Sequence, residues 1–232
     1  TYRTDALQAQ HQFYQQEPEV AHSGYAYGTS QFEDSPLSRP LVQAAPGESW
    51  HMGTNRTAKN AWRSNTGADD IPNWQIDYAS GNWRYEGFYA AGELWLIEAT
   101  DEHGVRSRSW TNKQQRVVLQ QQEGEEQRWV ETAMLYDRFG LQRRVIQPEG
   151  MRQLRQLQDY TLVLGQDFQQ DWCFRYDYDA RKRTIRKQIP GAAEVIMIYD
   201  HWDRLVLTQD GNQRSQNHWL FTKYDNLNRP VL

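Results

Sequence analysis

Asp200, His201, Asp203 and Arg204 crowd into the stretch YDHWDRLVLTQDGN (199–212), and Asp177 and Asp179 stand one residue apart in DWCFRYDYD. Carboxylates so close could act as general acid and base, or share a hard cation through their oxygens. A histidine beside them could carry a proton near neutral pH. On that reading Asp200 and Asp203 are the working pair of a hydrolase. The neighbouring sequence offers no further support for it. Positions equivalent to His201 hold Ala180 and Asn226, so a recurring histidine role is excluded. His51, His103 and His218 fall in expected turns or near tryptophans, without the spacing of metal ligands. No G-x-S-x-G, phosphate-cradling glycine loop or Cys–His constellation is present. The expectation is no catalytic residue, no cofactor and no metal.

The same residue types recur at fixed offsets, which points to architecture. Tyr178-Asp179 is followed by Arg183, Tyr199-Asp200 by Arg204, and Tyr224-Asp225 by Arg229, always five residues after the tyrosine. Tyr136-Asp137 begins YDRFGLQRRVIQP, where Leu141 stands at the arginine position and Arg143 follows. WTNKQQRVVL is a degenerate copy, with Trp110 one residue early relative to Arg116. The anchors at 110, 136, 178, 199 and 224 are separated by 26, 42, 21 and 25 residues, so a unit without its signature is expected inside the long gap. A fixed period of this length is read before any single residue.

Each unit reads as a hairpin. The tyrosine closes one strand, with its ring on the sheet and its hydroxyl in water. The aspartate accepts bonds from amides two residues on, and three residues complete the turn, where Gly, Asn or Asp tolerates positive φ. The arginine opens the returning strand, where it can stack on the ring or pair with the acid. A β-branched run (LVL, RVVL, RRVI) then supplies strand propensity. A two-stranded hairpin is marginal alone, so stability must come from stacked neighbours.

The elements needed to hold these hairpins follow from the remaining pattern. With 232 residues, ten Trp, thirteen Tyr and a net charge of −4, the chain has the aromatic area to fold and is polar enough for sheets with one wet face. Thr4 and the spacing of Ala6, Leu7, Gln10, Phe13 and Tyr14 predict one short helix over 4–16, with Thr4 as its N-cap. EDSPLSRPLVQAAPGESW contains three prolines and reads as extended or turning chain, not a central strand. Beyond residue 56, strands of five to eight residues alternate with turn signals, including Ser80-Gly81-Asn82, Asp101–Gly104 and Gly124. Met151, Leu154, Leu157 and Gln158 have the spacing to line a short helix within an otherwise strand-like pattern, which leaves residues 151–159 ambiguous. The fold class is all-β, an antiparallel hairpin meander preceded by a short helix. Residues 1–55 form a pre-repeat segment and 56–232 the sheet, with the repeats over about 110–232.

The Tyr-Asp…Arg period resembles the YD-repeat, or RHS-repeat, family of large secreted and surface proteins. Phe32, Pro36, Arg39 and the Ala45-Pro46-Gly47 turn also resemble the segment that precedes the repeats in bacterial members. The resemblance implies a long sheet spiralling into a shell, which in bacterial toxins of this type encloses a C-terminal effector. The expected partners are flanking repeats of the same polypeptide, neighbouring protein segments or an enclosed effector. The expected location is secreted or at the cell surface. The residues carried over are structural: Tyr136, Asp137, Tyr178, Asp179, Arg183, Tyr199, Asp200, Arg204, Tyr224, Asp225 and Arg229.

Composition limits the remaining choices. Near-neutral charge gives no electrostatic case for nucleic acid or an anionic membrane. No apolar run approaches the ~20 residues that cross a bilayer. The single cysteine, Cys173, cannot form an internal disulfide and is expected as a small buried side chain in a strand. TYRTDALQ and YDNLNRPVL read as the middle of a longer polypeptide. An adhesion or carbohydrate-binding surface built on Trp74, Trp83 and Trp95 remains the alternative to a structural segment.

Overall fold

The computed structural model of the chain describes residues 3–18, 24, 25, 27–76 and 82–231. A helix, α1 (Ala6–Gln16), is followed by strands β1 (Thr29–Phe32), β2 (Pro40–Ala44) and β3 (Ala58–Ser64). Next come β4 (Pro72–Ile76), β5 (Trp83–Phe88), β6 (Leu94–Thr100), β7 (Arg106–Asn112) and β8 (Val117–Glu123). Strands β9 (Trp129–Tyr136) and β10 (Gln142–Ile146) lead into α2 (Pro148–Leu157), a 3-10 turn at Tyr160–Leu164, and α3 (Gln166–Trp172). The chain then runs through β11 (Cys173–Tyr178), β12 (Thr184–Gln188), β13 (Val195–Tyr199), β14 (Leu205–Gln209), α4 (Gly211–Ser215) and β15 (Leu220–Phe221).

The molecule is mostly β, as the alternating pattern required. Thirteen strands hydrogen-bond in the order β1-β2-β3-β6-β7-β8-β9-β10-β11-β12-β13-β14-β15, and β4-β5 form a separate pair. The registered pairs are antiparallel. The chain divides into two compact units. One comprises Thr1–Ser64, Trp95–Trp110 and Gln121–Trp129; the other Asn65–Leu94, Thr111–Gln120 and Val130–Leu232.

In the first unit the prolines do not prevent a central strand. Val42 and Gln43 pair with both β1 and β3, and Pro40, which has no amide to donate, occupies the first position of β2. The helix also differs from expectation at its start. Asp5, not Thr4, precedes the first helical residue, no side chain caps it, and α1 buries none of its residues. Arg39 lies over the Trp62 ring at 4.6 Å, and Trp110 is fully buried with its indole N–H donating to Gln121 Oε1 at 2.8 Å. The turn at Asp101–Gly104 forms where its signal stood, with Gly104 at φ +85°.

In the second unit two departures from a consecutive meander have local causes. Strands β4 and β5 leave the main sheet, and the buried Asn65 ties the ends of that excursion together. Its amide donates to Ala90 O at 2.9 Å and its Oδ1 accepts from Leu94 N at 2.8 Å. The expected turn at Ser80-Gly81-Asn82 lies, Asn82 apart, outside the described residues. The long interval between Tyr136 and Tyr178 holds no extra hairpin, because β10 and β11 pair directly. The intervening chain is a helical excursion. Its first helix, α2, has Pro148 in the first turn and is closed by Gln158 in the left-handed region. The ambiguity at 151–159 thus resolves to helix through Leu157.

This excursion supplies much of the apolar interior. Met151, Leu154, Val163, Ile146 and Cys173 are all buried. Close approach of α2 depends on Gly150, since a Cβ there would lie 2.7 Å from Trp172 Cβ and 3.1 Å from Ile146 Cγ2. Arg155 closes the rim, donating to Glu131 Oε2 at 2.8 Å and to Asp70 O at 2.7 Å. Gly150→Ala is therefore expected to lower unfolding stability by roughly 1–3 kcal/mol through overpacking. Leu157→Ala, at an exposed position, should fall within about 0.5 kcal/mol of the parent. Urea unfolding measures both.

Candidate functional site

The repeated acids lie on strand reversals, and one turn displays their chemistry. Asp200 N donates to Arg204 O at 3.0 Å, and Asp203 N donates to Asp200 O at 3.2 Å. Asp200 Oδ1 accepts from Trp202 N at 2.9 Å and Arg204 N at 3.0 Å, while Oδ2 accepts from Arg204 Nε at 2.7 Å. One carboxylate thus satisfies two amides of the loop and the guanidinium that opens the next strand. Asp203 adopts φ +65°, the left-handed position that completes this hairpin loop.

The arrangement repeats almost atom for atom. Asp179 accepts from Arg181 N, Arg183 N and Arg183 Nε at 2.9, 3.0 and 2.7 Å, with Lys182 at φ +65°. Asp225 accepts from Leu227 N, Arg229 N and Arg229 Nε at 2.8, 2.9 and 2.6 Å, with Asn228 at φ +60°. Asp137 caps Phe139 N and Leu141 N at 2.9 and 3.0 Å around Gly140, with Leu141 where the other turns have their arginine. Two more turns, at the degenerate copy and at Asp101–Gly104, use the same cap without a tyrosine before it. Asn112 Oδ1 accepts from Gln114 N and Arg116 N, both at 3.0 Å, and Asp101 Oδ1 from His103 N and Val105 N at 2.9 and 2.8 Å. Thr111, not Trp110, therefore occupies the tyrosine position. The signal common to all six turns is an Asp or Asn three residues before a left-handed position. In the first unit, Phe32-Glu33 and Arg39 make a longer version: Glu33 N donates to Arg39 O at 2.9 Å, and Arg39 grips the Glu33 carboxylate with two nitrogens.

The second half of each motif acts on the neighbouring hairpin. The tyrosine hydroxyls do not point into water but donate to a carbonyl of the preceding hairpin. Tyr136 reaches Val117 O at 3.0 Å, Tyr178 reaches Gln142 O at 3.0 Å, Tyr199 reaches Thr184 O at 2.9 Å, and Tyr224 reaches Leu205 O at 2.9 Å. The arginine of the preceding hairpin lies over the same ring. Arg116 stands 5.9 Å from the Tyr136 centroid, Arg183 4.9 Å from Tyr199, and Arg204 5.1 Å from Tyr224. Where Leu141 replaces the arginine, Arg143 takes the role, 5.7 Å from Tyr178. The guanidinium also reaches into the next turn, with Arg116 Nη1 donating to Asp137 O at 3.2 Å and Arg183 Nη1 to Asp200 O at 3.1 Å.

A bulge sets this geometry. Tyr136, Tyr178 and Tyr199 stand opposite Gln142, Thr184 and Leu205, and in each case the register then slips by one residue. Phe32 opposite Pro40 shows the same slip, and Tyr224 bridges Pro230. An extra residue after the turn bends the strand and increases its twist. Burial raises the Tyr136, Tyr178 and Tyr199 hydroxyl pKa above the ordinary phenol value, which keeps these hydroxyls as donors. The Asp179 carboxyl is held below the usual range by the Arg183 amide. Burial opposes the same shift at Asp200, where the amide and guanidinium of Arg204 outweigh it, and Asp225 is lowered by the Arg229 amide.

The paired carboxylates considered for catalysis are thus taken up separately. Asp177 faces Arg143 at 3.4 Å, Asp179 pairs with Arg183, and Asp203 lies 2.7 Å from Arg183 Nη1 and 2.8 Å from Arg181 Nη1. The exposed His201 ring packs on Trp202 at 3.5 Å between centroids. The Cys173 thiol is buried and its pKa pushed up to about 12, so little reactive thiolate is present. Trp74 is buried, donating to Tyr160 O at 2.9 Å, while Trp95 is exposed. A polar cleft of about 460 Å³ in the second unit is lined by Trp74, Tyr89, Lys113 and Tyr136 among others. Among the described residues no group of three His, Cys, Asp or Glu side chains could hold a metal. Among the same residues no helix is long and apolar enough to cross a membrane.

A family model described as "Domain of unknown function (DUF6443)" matches residues 1–64. No curated protein matches the sequence. Among solved structures, the chain is similar to one titled "Crystal Structure of TcdB2-TccC3-TEV", with a TM-score of 0.44 and 12% identity. That match covers 88% of this chain and 10% of the other, so the chain spans about a tenth of that protein's length.

Two outcomes follow from the geometry. Tyr199→Phe removes one inter-hairpin bond and is expected to cost about 1 kcal/mol in urea unfolding. Because the folded-state pKa values of Asp179, Asp200 and Asp225 are depressed, their contribution is present above the unfolded value of about 3.9 and is lost as pH falls through the folded values. Thermal melts should therefore show a falling midpoint on acidification below about pH 4, and the Asp179→Asn/Asp200→Asn/Asp225→Asn variant a shallower fall.

Proposed function

We propose that the chain is a structural, non-enzymatic segment of a large secreted or surface protein of the RHS or YD-repeat kind, building a β-sheet scaffold. The observation that carries this reading is the recurring interlock. Each Tyr-Asp…Arg hairpin spends its polar side chains on its own turn and on its neighbour, leaving the repeated acids bound to arginine and backbone. A carboxylate already shared by two amides and a guanidinium is a poor general acid. Repetition of nearest-neighbour contacts is how an extended sheet gains stability beyond the reach of one hairpin. In the parent polypeptide such a scaffold would serve to enclose a C-terminal toxin effector, with flanking repeats as its first partners. The carbohydrate-binding alternative loses Trp74, which is turned into the interior.

The parent polypeptide provides the test. Under native trypsin digestion the sheet and any segment it encloses should survive together. The Tyr136→Phe/Tyr178→Phe/Tyr199→Phe/Tyr224→Phe variant should release that segment faster. Equal cleavage of parent and variant, or a glycan ligand whose binding is lost in Trp95→Ala with stability unchanged, would contradict the scaffold reading.

A further inference from the structure

One pair of charged side chains in the second unit is not explained by the hairpin interlock. On neighbouring strands β10 and β11, Arg144 stands directly opposite Arg175. Side chains in that relation share one sheet face with Cβ atoms about 4.5–5.5 Å apart, and like charges so placed repel. The bulge that sets the Tyr136 register adds Arg143 as a third guanidinium. A single carboxylate serves the group: Asp177 Oδ1 lies 3.4 Å from Arg143 Nη2 and 3.9 Å from Arg144 Nη1.

The surroundings do not supply the missing negative charge. Arg144 is buried, and its Nε donates to Gln169 Oε1 at 3.3 Å, a neutral partner fixed by its own bond from Nε2 to Val163 O at 2.9 Å. The residue opposite Arg175 on β12 is Gln188, and the residue opposite Arg144 on β9 is Leu135. Arg186, opposite Asp177, adds another positive group and reaches Glu194 at 4.0 Å. Arg175 makes no ion pair among the described residues, and its Nε is buried without a hydrogen-bond partner. Burial and the Arg175 charge pull the Arg144 guanidinium down to about 10. Three guanidiniums against one carboxylate leave two positive charges uncompensated, and uncompensated charge in a partly dry site is costly.

We propose that Arg144 and Arg175 together bind a dianionic tetrahedral oxyanion through their guanidinium groups. Sulfate and hydrogen phosphate carry the two negative charges that neutralise the cluster, and their oxygens match the forked donors of a guanidinium. A phosphoryl group attached to a larger molecule offers the same chemistry. Bound there, the anion fixes the junction between β10 and β11 next to the helical excursion.

The arginine Nε–H resonances of the full chain report occupancy. Sodium sulfate, sodium phosphate and phosphoserine are titrated in turn against sodium chloride at matched ionic strength. A saturable shift of the Arg175 Nε–H resonance with any of the three, absent in chloride, is expected. Free oxyanions acting alone point to a free ion, and phosphoserine acting more tightly points to a phosphoryl group. Arg175→Gln should remove the extra thermal stabilisation given by sulfate over chloride, and in chloride alone it should melt no lower than the parent. No saturable shift with any dianion, or a response matched by chloride, overturns the proposal. Should the variant fail to fold, the titration of the unsubstituted chain still decides.

Discussion

A tyrosine hydroxyl bonded to the backbone of the preceding hairpin, beneath that hairpin's arginine, is the contact on which the rest of this fold depends. A lone hairpin buries too little apolar surface to persist in water. Here most large aliphatic side chains of β11 to β14 are only half-buried, so their hairpins cannot rely on a dry core. What they share instead is a ring clamped between strand and guanidinium, worth about 0.5–1 kcal/mol for the stacking and about 1 kcal/mol for the hydroxyl bond. These are small terms individually. Their repetition along consecutive hairpins makes them structural.

The turn chemistry makes that repetition possible. A left-handed residue before each returning strand costs little for glycine or asparagine and more for Lys182 or Gln115. The preceding Asp or Asn offsets that cost by occupying two loop amides that would otherwise lack partners. The bulge then turns the strand so that its arginine leans toward the next ring. Acid, left-handed residue, bulge and arginine are consequences of one another. Arg143 shows this at the point of departure: with Leu141 in the usual place, the bulged residue itself supplies the guanidinium.

Much of this was legible in the sequence because the signal repeats. The offsets of Tyr199, Asp200 and Arg204 point to a hairpin once Tyr178 and Tyr224 are seen to share them. The destination of the tyrosine hydroxyl was not legible, since it depends on which strand lies alongside. Trp110 misplaced one anchor because an aromatic is the more conspicuous residue, whereas the Asx position at Asn112 defines the turn. The helical excursion was hidden by its place in a periodic background. The 42 residues from Tyr136 to Tyr178 matched two repeats, and only the spacing of Met151, Leu154 and Leu157 argued for a helix. The Arg144–Arg175 pairing needed the register of two strands separated by that excursion, which no local pattern encodes.

The measurement closest to the central claim is residue-resolved hydrogen exchange on the chain carrying Arg183→Leu. This substitution leaves the backbone of its own turn capped by Asp179 while removing the guanidinium from Tyr199 and Asp200. Loss of amide protection should appear in β13 and β14 as well as in β11 and β12, because the arginine holds the next hairpin. Protection lost only within Arg183's own hairpin, with β13 and β14 unchanged, would contradict the account.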